Sequence, residues 1–311
     1  MYNSIYEKSF WLDATTIDGE WAESIVTQNG EVIARLPYVF VMRNGIRYIE
    51  MPLFTQTLGP FLKIDSKKNY KIISKEKELI NKLIDKLPEF DSFRMCFHWS
   101  FSNWMPFYWK GFKQTTRYTY QLRNIKKLEK VWEGFDQKVR TDIRKAEKIL
   151  NIELDSDLEK FHDITSKTYE RQGLKCPYSY ESLMRLHKAC VLNKCCQIYF
   201  AKDEENNYHS AIYIVWDNKT TYYLIGGSDP KFKNSGANSL LIWRAIEDSS
   251  KHTDAFDFEG SMMEPVERFF RGFGGEPVPY FQLTYSNNMH KKYLKNNKLK
   301  NLIKRNLNFK K

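Results

Sequence analysis

Hydrophobic and polar positions along the chain fall into alternating strand-like and helix-like stretches. Residues 31–42 (EVIARLPYVFVM) and 47–52 (RYIEMP) read as strands. Between them lies Arg43-Asn44-Gly45-Ile46, whose Asn-Gly pair supplies the positive φ values of a tight hairpin. Leu79, Ile80, Leu83 and Leu87 form one stripe of a helix predicted over 74–87, closed by Pro88. Strands are predicted at 92–98 and 117–122. Two helices are expected within 124–150, separated by Gly134, with Asn124 and Asp136 as N-caps. Further helices are predicted over 158–171 and 179–192. The pattern then turns strand-rich, with three consecutive antiparallel strands at 196–202, 208–216 and 220–226. A glycine-rich polar loop at 226–238 leads into a helix at 239–250, a strand at 254–259, one helical turn at 267–270 and a last strand at 278–285. The order hairpin, loop, helix occurs twice, from 31 and from 208, which reads either as two related lobes or as two unrelated mixed domains.

Length fits the two-core reading. A chain of 311 residues is long for one hydrophobic core and comfortable for two of roughly 150 residues. The net charge of +11 is unevenly placed. From His290 to Lys311 there are nine basic residues and no acid, so 11 − 9 leaves only +2 for the rest. That argues against a body built to wrap DNA. The five cysteines (Cys96, Cys176, Cys190, Cys195, Cys196) match no zinc spacing, and the N-terminus has neither a basic nor an apolar leader segment. A cytoplasmic protein with reduced thiols and no metal is the expectation. The six histidines form no ligand spacing and read as structural.

Two segments carry candidate chemistry. The loop Asp229-Pro230-Lys231-Phe232-Lys233-Asn234-Ser235-Gly236-Ala237-Asn238 feeds a predicted helix N-terminus. Unpaired N–H groups and the positive dipole end there suit a phosphate. Lys231 and Lys233 add charge, and Gly236 permits close approach; an ordinary solvated loop is the competing reading. The second segment is Phe256-Asp257-Phe258-Glu259-Gly260 followed by Glu267-Arg268-Phe269-Phe270-Arg271-Gly272-Phe273-Gly274-Gly275. Strand alternation would put Asp257 and Glu259 on one face. With Arg268 and Arg271 nearby, these are either a structural ion-pair cluster or an acid/base site at a strand end.

From Tyr222 to Gly275 the chain resembles the C-terminal lobe of the FemAB-like acyltransferases. The resemblance rests on YYLIGGSDP, a loop, a helix with LIWRAI, a strand FDFEG and then FFRGFGG. Upstream, Trp109-Lys110-Gly111-Phe112, Arg117-Tyr118-Thr119-Tyr120 and Arg140-x-x-Ile143-Arg144-Lys145-Ala146 are also similar to that group. The resemblance implies an α/β (mixed α+β) fold of two tandem GNAT-like lobes, each a mostly antiparallel mixed sheet flanked by helices. The lobes are expected at 1–122 and 123–285, with 286–311 packing back on the first as a basic helix.

It further implies acyl transfer to an amine of a cell-envelope, sugar or peptide precursor. The donor is acyl-CoA or aminoacyl-tRNA, and a non-catalytic glycan- or peptide-binding module is the rival. Gly226, Gly227, Lys231, Lys233, Ser235, Gly236 and Ala237 are the expected donor-binding residues. Glu259 is the first candidate for the base, Asp257 the second; Arg271 or a backbone N–H near Gly226–Gly227 would serve the oxyanion. Arg140, Arg144, Tyr169, Arg171, Tyr178 and Arg268 are the expected acceptor contacts. The chain departs from the group twice. Lys233-x-x-Gly236-x-Asn238 stands where Gln/Arg-x-x-Gly-x-Gly/Ala is usual, and Phe269-Phe270 stands where Phe-Lys is frequent.

The aromatic run 97–112 reads either as core or as a sugar platform. In the tail, Leu299, Leu302, Ile303 and Leu307 share a helical stripe among lysines. Such a helix can pack on the first lobe, lie peripherally on the inner membrane surface or touch tRNA.

Overall fold

The computed structural model describes residues 4–171, 173–295 and 297. In chain order the elements are α1 (Ser9–Thr15), β1 (Glu20–Gln28), β2 (Glu31–Arg43), β3 (Ile46–Glu50), β4 (Phe61–Leu62), α2 (Asn69–Asp85), β5 (Ser92–Cys96), α3 (Met105–Trp109) and β6 (Lys113–Arg123). They continue with α4 (Leu128–Glu133), α5 (Gln137–Ala146), β7 (Asn151–Leu154), α6 (Leu158–Arg171), α7 (Tyr180–Leu192), β8 (Cys196–Lys202), β9 (Tyr208–Trp216) and β10 (Thr220–Ser228). The last are α8 (Ala237–Ser249), β11 (Ala255–Asp257), α9 (Glu264–Arg271) and β12 (Glu276–Ser286).

The chain divides into two compact units. One holds 1–7, 16–116 and 280–311; the other holds 8–15 and 117–279. The units are thus not two continuous segments meeting at 122/123: α1 belongs with the second, and the chain returns to the first at 280.

In the first unit the strand order is β1-β2-β3-β5-β12, with β4 against β2. Asn44 and Gly45, at φ 52° and 72°, turn β2 into β3 as the hairpin signal requires. Helix α2 begins at Asn69, five residues before the predicted start, and buries Leu79, Ile80, Leu83 and Ile84. The aromatic run splits. Phe97, Phe101, Phe107 and Phe112 are core, whereas Trp99, Tyr108 and Trp109 are exposed. Edge-to-face pairs such as Phe93–Phe112 at 5.1 Å knit that core.

One buried carboxylate ties three segments of this unit together. Asp91 accepts from the Arg47 backbone N–H at 2.8 Å, its Nε at 3.1 Å and its Nη2 at 3.1 Å. The Asn287 amide donates to it at 2.8 Å. Helical residues 288–295 follow, where His290 meets Tyr48 edge-on and Tyr293 accepts from Asn44. The apolar stripe from Leu299 to Leu307 lies outside the described residues.

In the second unit the order is β6-β11-β10-β9-β8-β7, with β10–β11 parallel and the other pairs antiparallel. Its central strands are buried on both faces, which is why they read as near-continuous apolar runs. Tyr199, Ala201, Ile212 and Ile214 join α5 and α8 in one core. Phe200 and Tyr213 meet Phe161 of α6 on the other face.

Several local expectations are corrected. Helix α4 starts at Leu128 with Lys127 at its N-cap, so Asn124 is not a cap; it adopts φ 56° in the preceding turn. Strand β11 ends at Asp257, two residues short of Glu259. The turn at 267–270 is a two-turn helix, α9. Strands β1 and β7, absent from the periodicity reading, are edge strands with few buried positions, exposing Ile25 and Leu154 beside polar residues.

The Arg47 guanidinium beside Asp91 holds its carboxyl well below the usual carboxylate range. A depressed carboxyl contributes stability that is present above its unfolded value, about 4, and is lost as pH falls below it. Thermal melts from pH 7 to pH 3 should therefore show an acid-side loss that is reduced in Asp91→Asn. Asp91→Ala should cost on the order of 2–3 kcal/mol at pH 7, since it strands several donors. An Asp91→Ala protein as stable as wild type would contradict this role.

Candidate functional site

The second unit carries a cleft of about 330 Å³ at the N-terminus of α8. Its walls include Ser228 at the end of β10, the loop Phe232–Asn238, Lys138 and Asp142 of α5, and Phe269 of α9. Gly236 is the N-cap of α8 at φ 76°. A Cβ there would collide with the Asp142 carbonyl and press on Ala146, so glycine is required both for the left-handed turn and for the close passage of α5. The first turn of this thirteen-residue helix, Ala237 to Ser239, lines the cleft, with the Ala237 N–H donating to Ser235 Oγ at 3.3 Å.

The loop before α8 is held by specific contacts. Asp229 caps a short turn by accepting from the Lys231 N–H at 2.9 Å, and it pairs with Lys167 at 3.1 Å. Its own N–H donates to the His209 carbonyl at 2.9 Å. The His209 ring stacks flat on Phe232, with centroids 3.9 Å apart and 4° between planes. At the other end, Asn238 accepts from Tyr223 Oη and from Ser210 Oγ, both at 3.4 Å. That accounts for an asparagine at the position where a small residue is usual: its carboxamide anchors α8 to β9 and β10.

β10 and β11 pair only over three positions, Thr220↔Ala255 to Tyr222↔Asp257. β10 runs on to Ser228 with β9 on its other side, and a bulge interrupts its register between Tyr223 and Ile225. The chain after β11 turns the other way, towards β6. Phe258 donates to the Tyr120 carbonyl at 2.9 Å, and Gly260 packs so tightly on Tyr118–Thr119 that a Cβ would clash. Among the described residues, β10 from Tyr223 to Ser228 therefore has a strand partner on one side only, with the Ser228 N–H at its end donating to Thr168 Oγ1 of α6 at 3.2 Å.

Asp257 and Glu259 do not share a strand face. Asp257 is buried, accepting from Thr119 Oγ1, from Gln121 Nε2 at 2.8 Å and from the Glu259 N–H at 2.7 Å. Burial pushes its carboxyl up, while these three donors pull it down. Glu259, half-buried, takes a left-handed φ of 57°, a conformation costing a non-glycine residue roughly 1–2 kcal/mol. The Asp257 carboxylate, bonded to the Glu259 N–H, offsets that cost and fixes the turn. Arg271 pairs with Glu267 at 3.0 Å and is largely exposed. Glu267 also accepts from Tyr120 Oη at 2.5 Å, which holds its carboxyl below the usual range and raises the phenol.

Of the residues singled out from sequence, Lys233, Ser235, Gly236 and Ala237 line the cleft. Lys231 is exposed beside it. Gly226 and Gly227 lie beneath other atoms: a Cβ on Gly226 would strike Tyr223 Oη, and one on Gly227 would meet Thr165 of α6 at 2.6 Å. Tyr169 of α6 and Tyr178 of the loop before α7 form an edge-to-face pair, with Tyr178 Oη donating to Thr165 at 3.1 Å. Arg140 reaches the Glu133 carbonyl at 3.3 Å, and the Arg144 guanidinium lies 5.5 Å from the centre of the Trp132 ring. Both therefore lean towards α4, and it is Lys138 and Asp142, paired at 2.6 Å, that α5 presents to the cleft. Arg171 and Arg268 are exposed at the ends of α6 and α9. Sequence reasoning missed Lys138, Asp142, Phe232 and Phe269. An i,i+4 pair on a predicted helix was visible, but not which helix end it would face. Among the described residues, no group of His, Cys, Asp or Glu is placed to hold a metal ion.

Comparison with known proteins finds one family model and several similar folds. Residues 134–269 match the family model described as Acetyltransferase (GNAT) domain. Among solved structures, FemX is similar at 14% identity, covering 93% of this chain and 94% of its own, with a TM-score of 0.67. L-PGS from Bacillus licheniformis is similar at 11% identity over 91% and 88%, with a TM-score of 0.53. A tandem GNAT protein from the clavulanic acid biosynthesis pathway is similar at 8% identity over 89% and 94%, with a TM-score of 0.52. No curated protein matches the chain.

The close passage at Gly236 is testable by denaturant unfolding. Gly236→Ala should cost about 2–4 kcal/mol, from the left-handed backbone and the collision with α5 together. A loss under about 0.5 kcal/mol would mean that α5 does not pass against the start of α8.

Proposed function

We propose that this chain, a FemAB-like N-acyltransferase of the GNAT superfamily, moves an acyl group from acyl-CoA to an amine of a cell-envelope, sugar or peptide precursor. The observation that carries the donor assignment is the cleft at the start of α8, where helix N–H groups, Lys233 and Ser235 meet beside the one-sided end of β10. A pyrophosphate fits the charge and size of that cleft. The Lys138–Asp142 pair in the same wall is self-neutralised, so the attraction rests on Lys233 and the helix end. The one-sided edge of β10 suits an extended arm carrying amides, which it can hydrogen-bond as a strand would.

Acyl-CoA supplies a carbonyl activated as a thioester. The amine nitrogen bonds to that carbonyl carbon as the C–S bond breaks; the CoA sulfur leaves as a thiolate with that electron pair and is then protonated to the thiol, while the nitrogen sheds a proton. Glu259 is the proposed acceptor of that proton, directly or through water. Asp257 is a positioning residue: its buried carboxylate holds the turn that places Glu259. A backbone N–H along Gly226–Gly227 serves the carbonyl oxygen. Arg271, bound to Glu267, serves the Tyr120–Glu267 contact instead. The acceptor is proposed to enter on the α6 side, past Tyr169 and Tyr178. Arg140, Arg144, Arg171 and Arg268 stay outside this reading. The five free cysteines fit a cytoplasmic site of action.

Calorimetry with CoA and with aminoacyl-tRNA tests the donor. CoA should bind, and Lys233→Ala should weaken it several-fold, with a loss that shrinks as salt rises. Binding of aminoacyl-tRNA with none of CoA would overturn the donor assignment. In a single-turnover acyl-transfer assay, Glu259→Gln should lower the rate on the order of 10²–10⁴-fold with CoA affinity unchanged. An unchanged product yield would remove Glu259 from the chemistry.

A further inference from the structure

In the first unit, α2 and α3 lie against each other. Lys77 Nζ sits 5.0 Å from the centre of the Trp109 ring, Asn103 donates to Glu76 at 2.9 Å, and Lys110 pairs with Asp85 at 2.6 Å. Their inward sides are the buried stripe of α2 and Pro106 and Phe107 of α3. The outward side of α2 is polar, with Lys71, Ser74, Glu78 and Lys82 exposed, but an apolar set is exposed beside it. Tyr70, Tyr108 and Trp109 are 64%, 61% and 59% exposed, joined by exposed Ile73 and Met105. Tyr70, Ile73 and Lys77 recur at i, i+3 and i+7 of α2, and Met105, Tyr108 and Trp109 at i, i+3 and i+4 of α3, so each set shares a face. Lys67 and Lys68 lie just before Tyr70 and Lys77 lies over Trp109, against Glu76; Lys71 and Lys75 instead line a separate cleft with Gln28 and Asp65, and Lys75 pairs with Glu78 at 3.0 Å.

We propose that this face docks on the surface of an anionic lipid bilayer. Tyrosine and tryptophan rings settle at the level of the head groups, and isoleucine and methionine enter the acyl boundary. Lysines lay their apolar stems along the same surface while their ammonium groups meet anionic lipid. A second copy of the chain is a poorer occupant, because a two-fold contact would set these lysines against themselves. A single-stranded nucleic acid would use the rings and the lysines, but Ile73 and Met105 offer it nothing. The surface shares no residue with the α8 cleft, and the proposal does not depend on what that cleft binds.

The test is co-sedimentation of the full chain with vesicles of phosphatidylcholine alone and of phosphatidylcholine mixed with phosphatidylglycerol. Binding is expected on the mixed vesicles only, and it should fall as salt rises. Replacing both Tyr108 and Trp109 by serine should weaken partition by about tenfold or more. Lys67→Gln and Lys68→Gln should each weaken it by about fivefold. All these side chains are exposed, so an unchanged melting temperature will show that the variants are folded. Equal binding to neutral and mixed vesicles would overturn the proposal. So would binding that survives these substitutions but disappears when the lysines of 298–311 are neutralised. A dimer or a tRNA complex that the same substitutions abolish, with no vesicle binding by the wild type, would assign the face to that partner instead.

Discussion

The short parallel register between β10 and β11 is the constraint from which the candidate site follows. Three paired positions hold the two strands together, and then the chain beyond β11 is drawn towards β6 by the Phe258–Tyr120 hydrogen bond and the packing of Gly260. Had β11 continued to pair, the far half of β10 would be an ordinary interior strand. Because it stops, β10 ends with an edge facing the space where α8 begins. The left-handed turn at Glu259 belongs to the same event: it reverses the chain where the pairing ends, and the buried Asp257 carboxylate holds it there.

The cleft itself is shaped by what packs around α8. Helix α8 is buried along most of its length, with Leu240, Leu241, Ile242, Ala245 and Ile246 in the core. Its N-terminal end is left open because Gly236 lets α5 pass without a side chain in between. The preceding loop is held by the His209–Phe232 stack and by Asp229, which caps its turn and pairs with Lys167. Helix, loop and strand end are therefore each fixed by apolar packing or hydrogen bonds, which leaves Lys233 and the first turn of α8 lining the cleft. That division of labour is the usual condition for a preorganised site.

The first unit is organised differently. Its core is aromatic, and the same run of sequence that supplies that core also supplies exposed rings on α3. Asp91 binds the β2–β3 hairpin, the lead into β5 and the start of the terminal helix through one carboxylate, so a single ionisable group ties together segments far apart in sequence.

Periodicity alone determined most of the second unit. The three consecutive strands at 196–228, the helices at 158–171 and 180–192, and the Asn-Gly hairpin were legible because each depends on residues a few positions apart. The motif order from Tyr222 to Gly275 carried the resemblance to the GNAT superfamily, and the loop at 229–238 was legible as a helix N-terminus. Tertiary structure alone decided the rest. Strand alternation predicted that Asp257 and Glu259 share a face, but a left-handed residue after the strand broke the alternation, and its stability comes from Thr119 and Gln121 on a neighbouring strand. Arg140 and Arg144 could be placed on a helix but not aimed; Trp132 and the Glu133 carbonyl draw them to α4, while Lys138 and Asp142 face the cleft. The aromatic run held too little period to separate core from surface, which the packing of α3 on α2 settled. Local patterns fix which residues are near in sequence and alike in environment, but the direction of a side chain is set by partners that only the folded chain brings within reach.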